Sequence, residues 1–286
     1  MQNIQKISPL APMLAISLLP AMFLLGNRAD NYLLFALGVL LSMLPEGVLL
    51  AVINALRRKQ PHTLFVKPLL AALALFFLAA GTAAVCRFAD ISGFLSQYRI
   101  SPLLITLPLV LSAVYIASLS QGAQRRLCTA VLMTVLGLYG VTALMALKNG
   151  STANLHISSS APTQDISAGL TAGAFAALPV AYYLTLFLIG GFGRVRVLRY
   201  LAVKSIILLV FTLPVIYVLG EHIRYSKMPA YDLAAFSNSI IIERFNGLYV
   251  LILCISTAVL AAVCLNAVRL CIGAILSRKG VSYEKA

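Results

Sequence analysis

The chain has 286 residues, of which 61% are hydrophobic by type and only 10% are charged. Soluble domains carry about 25% charged residues, so this composition excludes a soluble α/β enzyme, a disordered chain and a disulfide-rich scaffold. The net charge of +14 comes from basic residues that lie between apolar runs. That arrangement is typical of membrane proteins, and we expect a lipid bilayer around the chain and no nucleic-acid partner.

Eight segments are apolar over the roughly 20 residues that a membrane-spanning helix needs. In chain order, the predicted spans cover residues 8–26, 32–55, 68–86, 101–120, 127–147, 168–191, 200–220 and 246–275. The first span is not followed by a cleavage site and a polar start, so we expect a helix there and not a signal peptide. The sequence therefore predicts an all-α polytopic membrane protein, with residues 1–286 forming one transmembrane domain.

The basic residues divide unequally between the two sides of these spans. One side carries 15 of the 22, namely Lys6, Arg57, Arg58, Lys59, Lys67, Arg125, Arg126, Arg194, Arg196, Arg199, Lys204, Arg269, Arg278, Lys279 and Lys285. The other side carries Arg28, Arg87, Arg99, Lys148, Arg224, Lys227 and Arg244. Since cytoplasmic loops carry the excess of Lys and Arg, both termini are predicted to be cytoplasmic and the loop 149–165 external.

Prolines within the predicted spans indicate interrupted helices. Pro20 and Pro179 lie at similar depths in spans 1 and 6, as do Pro45 and Pro214 in spans 2 and 7. A proline removes a backbone donor, and such breaks often present backbone groups to a substrate in transporters. We therefore expect helices 1 and 6 to be broken near Pro20 and Pro179, with the two breaks facing each other across a cavity. The spacing also favours an inverted repeat, with one unit over about 8–147 and a partial second unit over about 168–275.

Glu46 is the acidic residue placed well inside a span, in the sequence Leu44-Pro45-Glu46-Gly47. A charge at that depth is costly and usually faces the interior of a helix bundle. Two interpretations stay open: a site for a coupling proton or a ligand amine, or a neutral carboxyl group hydrogen-bonded to a broken turn. We place no basic residue deep in a span, so a salt bridge to Glu46 is not expected.

Other candidate residues carry weaker signals. Tyr182 and Tyr183 follow Pro179 by one turn, where they either line a cavity or belong to an interfacial aromatic belt. The three histidines lie in loops without the spacing of metal ligands. Neither a Ser/His/Asp set nor a phosphate-binding loop is present, so we expect no enzymatic activity, no cofactor and no metal site.

The order of several short motifs resembles that of the endospore germination permeases, the membrane B subunits of GerA-type germinant receptors. These belong to the amino acid–polyamine–organocation transporter superfamily. The resemblance is clearest from Pro229 through Glu243-Arg244 into the eighth span. It is also carried by Ile7-Ser8-Pro9, Ala55-Leu56-Arg57-Arg58, Pro61, Thr63-Leu64, Arg87, Phe94, Pro102, Tyr115 and Arg126.

The chain departs from this family at three points. Family members usually have a glycine-containing break in helix 1, where this chain has Pro20 alone. They often have a glycine and an acidic residue in helix 6, where this chain reads Ala176-Ala177-Leu178-Pro179. We expect eight helices where the family usually has ten, and the other two would belong to the outer scaffold of the family's fold.

The resemblance implies a truncated LeuT-like architecture and a small nutrient ligand, such as an amino acid. Its ligand site lies among helices 1, 2, 6 and 7, so the ligand-binding candidates here are Pro20, Glu46, Pro179, Tyr182 and Tyr183. A- and C-type receptor subunits are the implied partners, and a bacterial inner membrane, of the cell or the spore, is the implied location. A free-standing secondary amino-acid transporter and a non-transporting degenerate paralogue are the two alternatives.

Overall fold

A computed structural model describes residues 9–23, 31–56, 63–95, 101–155, 162–174, 177–190, 195–226, 229–236 and 245–276. These residues are almost entirely helical, as the sequence predicts. The α-helices are α1 (Leu10–Phe23), α2 (Tyr32–Leu41), α3 (Met43–Leu56), α4 (Thr63–Leu95), α5 (Pro102–Ser118), α6 (Gln121–Ala146), α7 (Pro162–Ala174), α8 (Leu178–Ile189), α9 (Val197–Leu219), α10 (Pro229–Ala235) and α11 (Phe245–Leu276). Short 3₁₀ turns lie at Leu147–Asn149, Thr152–Leu155 and Gly220–Tyr225.

The helices have the length and composition of a polytopic membrane protein. Within the described ranges, six segments are long and apolar enough to cross a bilayer: Tyr32–Leu56, Val66–Gly93, Gln121–Asn149, Pro162–Ile189, Val197–Tyr225 and Tyr249–Leu276. Two shorter apolar helices, Leu10–Met22 and Leu103–Ser118, coincide with the first and fourth predicted spans. Each of the eight apolar segments predicted from the sequence therefore coincides with one or two helices among the described residues.

Helix α1 lies at the centre of the bundle and α4 at its edge. Side chains all around α1 are buried, including Met13, Ile16 and Leu18, and the helix packs against α6, α8, α9 and α11. A helix that is apolar on every face is expected to be enclosed in this way. By contrast, α4 exposes large apolar side chains such as Leu75 and Phe76, which suit contact with lipid tails.

The second predicted span is locally interrupted, since α2 ends at Leu41 and α3 begins at Met43, while Ser42 between them keeps helical dihedral angles and still donates its N–H to the Gly38 carbonyl. Pro45 has no N–H group to donate to the carbonyl of Leu41, and its ring crowds that carbonyl, so the helix cannot continue undisturbed. The Ser42 hydroxyl donates to the Val39 carbonyl oxygen at 2.6 Å, which satisfies one backbone acceptor at the break. Glu46 consequently lies in the first turn of a new helix.

The sixth predicted span is interrupted where the sequence indicates. Helix α7 ends at Ala174 and α8 begins at Leu178, with residues 175–176 outside the described ranges. Pro179 lies in the first turn of α8, where its missing N–H group has no carbonyl partner to lose. The expected break near Pro179 therefore has its counterpart in the structure.

The break expected in helix 1 is wrong. Helix α1 continues from Leu10 to Phe23 with Pro20 inside it. The proline costs the hydrogen bond that residue 20 would donate to the Ile16 carbonyl, but packing on every side holds the remaining turns together. In a similar way α9 continues through Pro214, and the Tyr139 hydroxyl donates to the nearby Phe211 carbonyl at 3.0 Å.

Helices α2 and α7 cross at very close range through small residues. A Cβ atom at Gly38 would overlap the Ile166 carbonyl oxygen, and one at Gly169 would overlap the Phe35 carbonyl oxygen. Small residues four positions apart let membrane helices approach in this way. The Asn31 N–H donates to the Asp165 carboxylate at 3.0 Å near the start of both helices, so α2 and α7 run parallel.

A buried charged cluster between three helices

Glu46 is held in the bundle interior by two partners on α9. The Lys204 ammonium lies 2.5 Å from one carboxylate oxygen of Glu46, and the Tyr200 hydroxyl donates to the other oxygen at 2.7 Å. The side chains of Lys204 and Glu46 are only 2% and 6% exposed. Both carboxylate oxygens therefore have a strong donor, in surroundings that are otherwise apolar.

Helical spacing explains why Tyr200 and Lys204 act on the same carboxylate. They are four residues apart on α9, so their side chains lie on one face of that helix. The Lys204 ammonium lies 5.8 Å from the centre of the Tyr200 ring, a distance at which a cation is attracted by the aromatic face. Ser17 on α1 lies beside the Tyr200 hydroxyl, and its own hydroxyl donates to the Met13 carbonyl at 2.9 Å. Together, Ser17, Glu46, Tyr200 and Lys204 form what we name the charged cluster, and it joins α1, α3 and α9.

The charged cluster corrects the sequence-based expectation for Glu46. No basic residue was expected deep in a span, and Lys204 was counted among the cytoplasmic basic residues. In the structure α9 begins at Val197, so Lys204 lies about two turns inside the helix and not at its rim. Two signals in the sequence point to it: the apolar residues on both sides of Lys204, and the four-residue spacing from Tyr200.

The electrostatics of the cluster are finely balanced. Removing a carboxylate and an ammonium from water is expensive, and their mutual attraction offsets that cost only when the geometry is good and the remaining polar atoms are satisfied. The close Lys204–Glu46 contact and the Tyr200 hydroxyl meet both conditions. The cluster as a whole is neutral, so it adds no net charge to the bundle interior.

A second polar group connects α3, α8 and the segment that leads into α9. The Tyr183 hydroxyl donates to the side-chain oxygen of Asn54 at 2.6 Å, and the Asn54 amide donates to the Val195 carbonyl at 3.0 Å. Beside it, an open pocket of about 710 Å³ lies between Ala51 and Asn54 of α3 and residues 195–199. Tyr183 thus braces the start of α9, and Tyr182 is buried in the core next to it.

The five candidate residues from the sequence do not converge on one site. Glu46 lies in the charged cluster, whereas Tyr183 belongs to the polar group with Asn54. Pro179 and Tyr182 are buried in α8, which packs against α1, and Pro20 is half-buried within α1. The pocket beside Asn54 is not the cavity expected between Pro20 and Pro179. Sequence reasoning missed Ser17, Asn54, Tyr200 and Lys204.

Two polar residues of α11 differ in their exposure. Arg269 is exposed, while Asn266 one turn before it is 1% exposed, and neither polar atom of its side-chain amide has a partner among the described residues. His222 is exposed, and His62 and His156 lie outside the described residues.

Comparisons of this chain with protein-family models, with curated proteins and with solved structures find no match. The fold alone defines the class of protein, which is a polytopic, all-helical membrane protein with a charged cluster in its interior. Its function has to be argued from that cluster.

Proposed function

We propose that this chain is a permease-type membrane subunit that binds or passes a small nutrient such as an amino acid, as the B subunit of a spore germinant receptor would. The observation that carries the proposal is the charged cluster. Ionisable side chains within membrane helices are rare because they are costly, and they commonly mark ligand or ion pathways. The motifs that resemble germination permeases narrow the class to germinant receptors.

The cluster has the chemistry that such a site needs. It presents a carboxylate from Glu46, an ammonium from Lys204 and hydroxyl groups from Tyr200 and Ser17 within one small region. A small polar nutrient can exchange hydrogen bonds with these groups as it enters from water. The helices that contribute them are α1, α3 and α9, which correspond to the first, second and seventh predicted spans.

We further propose an eight-span architecture with both termini in the cytoplasm of a spore-forming bacterium. The two shorter apolar helices α1 and α5 complete eight passes when they are added to the six longer segments. The second and sixth spans of such a chain must run in the same direction, and the parallel packing of α2 and α7 agrees with this. The interruption of the sixth span agrees with a LeuT-like relation, whereas the uninterrupted α1 and the interruption of the second span depart from it.

The direct test is affinity purification of the tagged chain from sporulating cells of its host. A germinant-receptor subunit is expected to bring A- and C-type receptor subunits with it. Purification of the chain alone, together with uptake of amino acids into proteoliposomes, would instead indicate a free-standing secondary transporter. If no receptor subunit co-purifies and the chain binds no ligand, the proposal is contradicted. That result would indicate a degenerate paralogue.

A further inference from the structure

We propose that the open pocket between α3 and the start of α9 binds the headgroup of an anionic phospholipid. The pocket has a volume of about 710 Å³, and it is lined by Ala51, Asn54 and residues 195–199. Pockets for small ligands commonly measure about 300–1,000 Å³, so this one has room for a phosphate and its glycerol groups. The inference does not depend on the permease function, because it concerns the surface that α3 and α9 present to the bilayer.

Two positive charges line the pocket without a counter-charge. Arg196 and Arg199 are both exposed, and neither guanidinium has an ion-pair or hydrogen-bond partner among the described residues. Glu46, the acidic residue of α3, is already paired with Lys204. An arginine side chain binds a phosphate through two parallel hydrogen bonds, so this pair is suited to a phosphate ligand.

The first turn of α9 adds to the attraction for a negative charge. Arg196 begins the helix without a side-chain capping hydrogen bond, and the N–H groups of residues 197–199 have no carbonyl partner within the helix. The positive end of the helix dipole lies at the same place. A helix start alone does not define a site, but this one coincides with the pocket and with both arginines.

The wall of the pocket is held in place by the polar group that contains Tyr183. The Asn54 amide donates to the Val195 carbonyl at 3.0 Å, and the Val195 N–H donates to the Tyr183 hydroxyl at 3.4 Å. Both backbone polar groups of Val195 therefore have partners before any ligand binds. A preformed pocket loses less conformational freedom on binding, which favours affinity.

The surroundings of the pocket favour a lipid over a soluble anion. Val48 and Val52 on α3 are exposed, and Leu198 in the first turn of α9 is 84% exposed. The pocket lies where one candidate membrane span, Tyr32–Leu56, ends and where another, Val197–Tyr225, begins. Acyl chains can therefore lie along the apolar face of α3 while the phosphate reaches the arginines at the membrane surface.

The charges select an anionic headgroup. Phosphatidylcholine carries a trimethylammonium group next to its phosphate, and the two arginines would repel that group. In phosphatidylglycerol the phosphate is the only charged group, so it offsets a guanidinium charge without bringing a cation. Basic pockets between transmembrane helices at the cytoplasmic surface bind anionic headgroups, and the basic residues predict that this end of α9 is cytoplasmic.

Fluorescence quenching tests the pocket directly, because the chain contains no tryptophan. Val52→Trp places a single fluorophore on the exposed face of α3 next to Ala51, and Val114→Trp on α5 is the matched control. Both valines are exposed and lie four residues before the last residue of their helix. Each protein is reconstituted in mixed vesicles of phosphatidylglycerol and phosphatidylcholine, in which one lipid or the other has brominated acyl chains. The quenching gives the preference for each lipid at each position.

The preference for phosphatidylglycerol at position 52 is expected to be at least about fivefold. Arg196→Gln together with Arg199→Gln should reduce it to the value measured at position 114. Arg125→Gln together with Arg126→Gln removes two exposed charges near the start of α6 and should leave the preference at position 52 unchanged. Either single change in the pocket should give an intermediate preference, which provides the result if the double variant does not accumulate.

Equal preferences at positions 52 and 114, or a preference at position 52 that survives the loss of both pocket arginines, would overturn the site. In a further measurement inorganic phosphate replaces chloride at constant ionic strength, and the preference at position 52 should persist. Its loss in phosphate would indicate a site for a soluble phosphate compound and would overturn the assignment to a lipid. No nutrient is present in these experiments, so failure of the permease function would leave their result unchanged.

Discussion

At the level of single residues, the structure changes the interpretation of Glu46 from an isolated carboxyl group to one member of a buried ion pair. The sequence places a carboxyl group in the membrane and leaves it either functional or neutral and structural. Its partners are more than 150 positions away along the chain, and a pairing over that separation leaves no trace in local periodicity. Spacing on α9 could suggest that Tyr200 and Lys204 share a face, but not which carboxylate that face meets.

The ion pair predicts strong non-additivity in stability. Lys204→Met should lower the free energy of unfolding by about 3–5 kcal/mol, because it leaves a buried carboxylate without its cation. Glu46→Leu together with Lys204→Met should be close to neutral or stabilising, since no buried charge remains. Denaturant titration in detergent provides the measurement, with the exposed Lys67→Met as control. Additive losses in the double variant would contradict a direct pair.

We expect the Tyr183 hydroxyl to stabilise the protein through its hydrogen bond to Asn54 and not to bind a ligand. Tyr183→Phe removes two hydrogen bonds, the one donated to Asn54 and the one accepted from the Val195 N–H, and is expected to destabilise the protein by about 1–2 kcal/mol. Tyr115→Phe changes an exposed tyrosine and should have no effect on the unfolding temperature. The same unfolding temperature for Tyr183→Phe as for the unchanged protein would show that these hydrogen bonds are not formed.

At the level of elements, the apolar segments were predictable and the pattern of breaks was only partly so. All eight predicted segments coincide with helices, because continuous apolar runs identify spans directly. Proline positions predicted the interruption at Pro179 but wrongly predicted one at Pro20. The difference lies in tertiary packing: α1 is enclosed on every side, whereas α8 begins just before its proline. The α2–α7 crossing went unnoticed because glycine has no hydrophobic signal.

The crossing predicts that a single methyl group is harmful at one glycine and harmless at another. Gly169→Ala should destabilise the protein and separate α2 from α7, since its Cβ atom would overlap the Phe35 carbonyl oxygen. Gly137→Ala on α6 is the matched control, because a Cβ atom there meets nothing within 4 Å. Alanine in a helix interior is favoured over glycine by up to about 1 kcal/mol, so the control should be neutral or slightly stabilised. Equal unfolding temperatures for both variants would contradict the close crossing.

At the level of the whole molecule, the orientation in the membrane is predicted from the distribution of basic residues. Because Lys204 lies inside the bundle and not at its rim, the cytoplasmic side has one basic residue fewer than the sequence predicts. The excess of basic residues stays on that side. Both termini are therefore still predicted to be cytoplasmic, with the segment before α7 outside.

Cysteine labelling in intact cells checks this orientation. In a background without native cysteines, Ser159→Cys should react with an impermeant maleimide from outside, and Ser277→Cys should react only after the membrane is permeabilised. Both positions lie outside the described residues, and neither belongs to a predicted span. The reverse pattern would invert the topology and place the charged cluster toward the outer face.

The central claim is that the charged cluster serves a ligand and does not merely hold α3 to α9. The most direct measurement is the ligand-induced rise in unfolding temperature of the purified protein, compared with that of the Glu46→Leu/Lys204→Met variant. A nutrient at one hundred times its Kd should raise the unfolding temperature of the unchanged protein by about 5 °C or more. The variant should stay folded and show no rise. An equal rise in both proteins would contradict the account, because the ligand would then bind without the two charges.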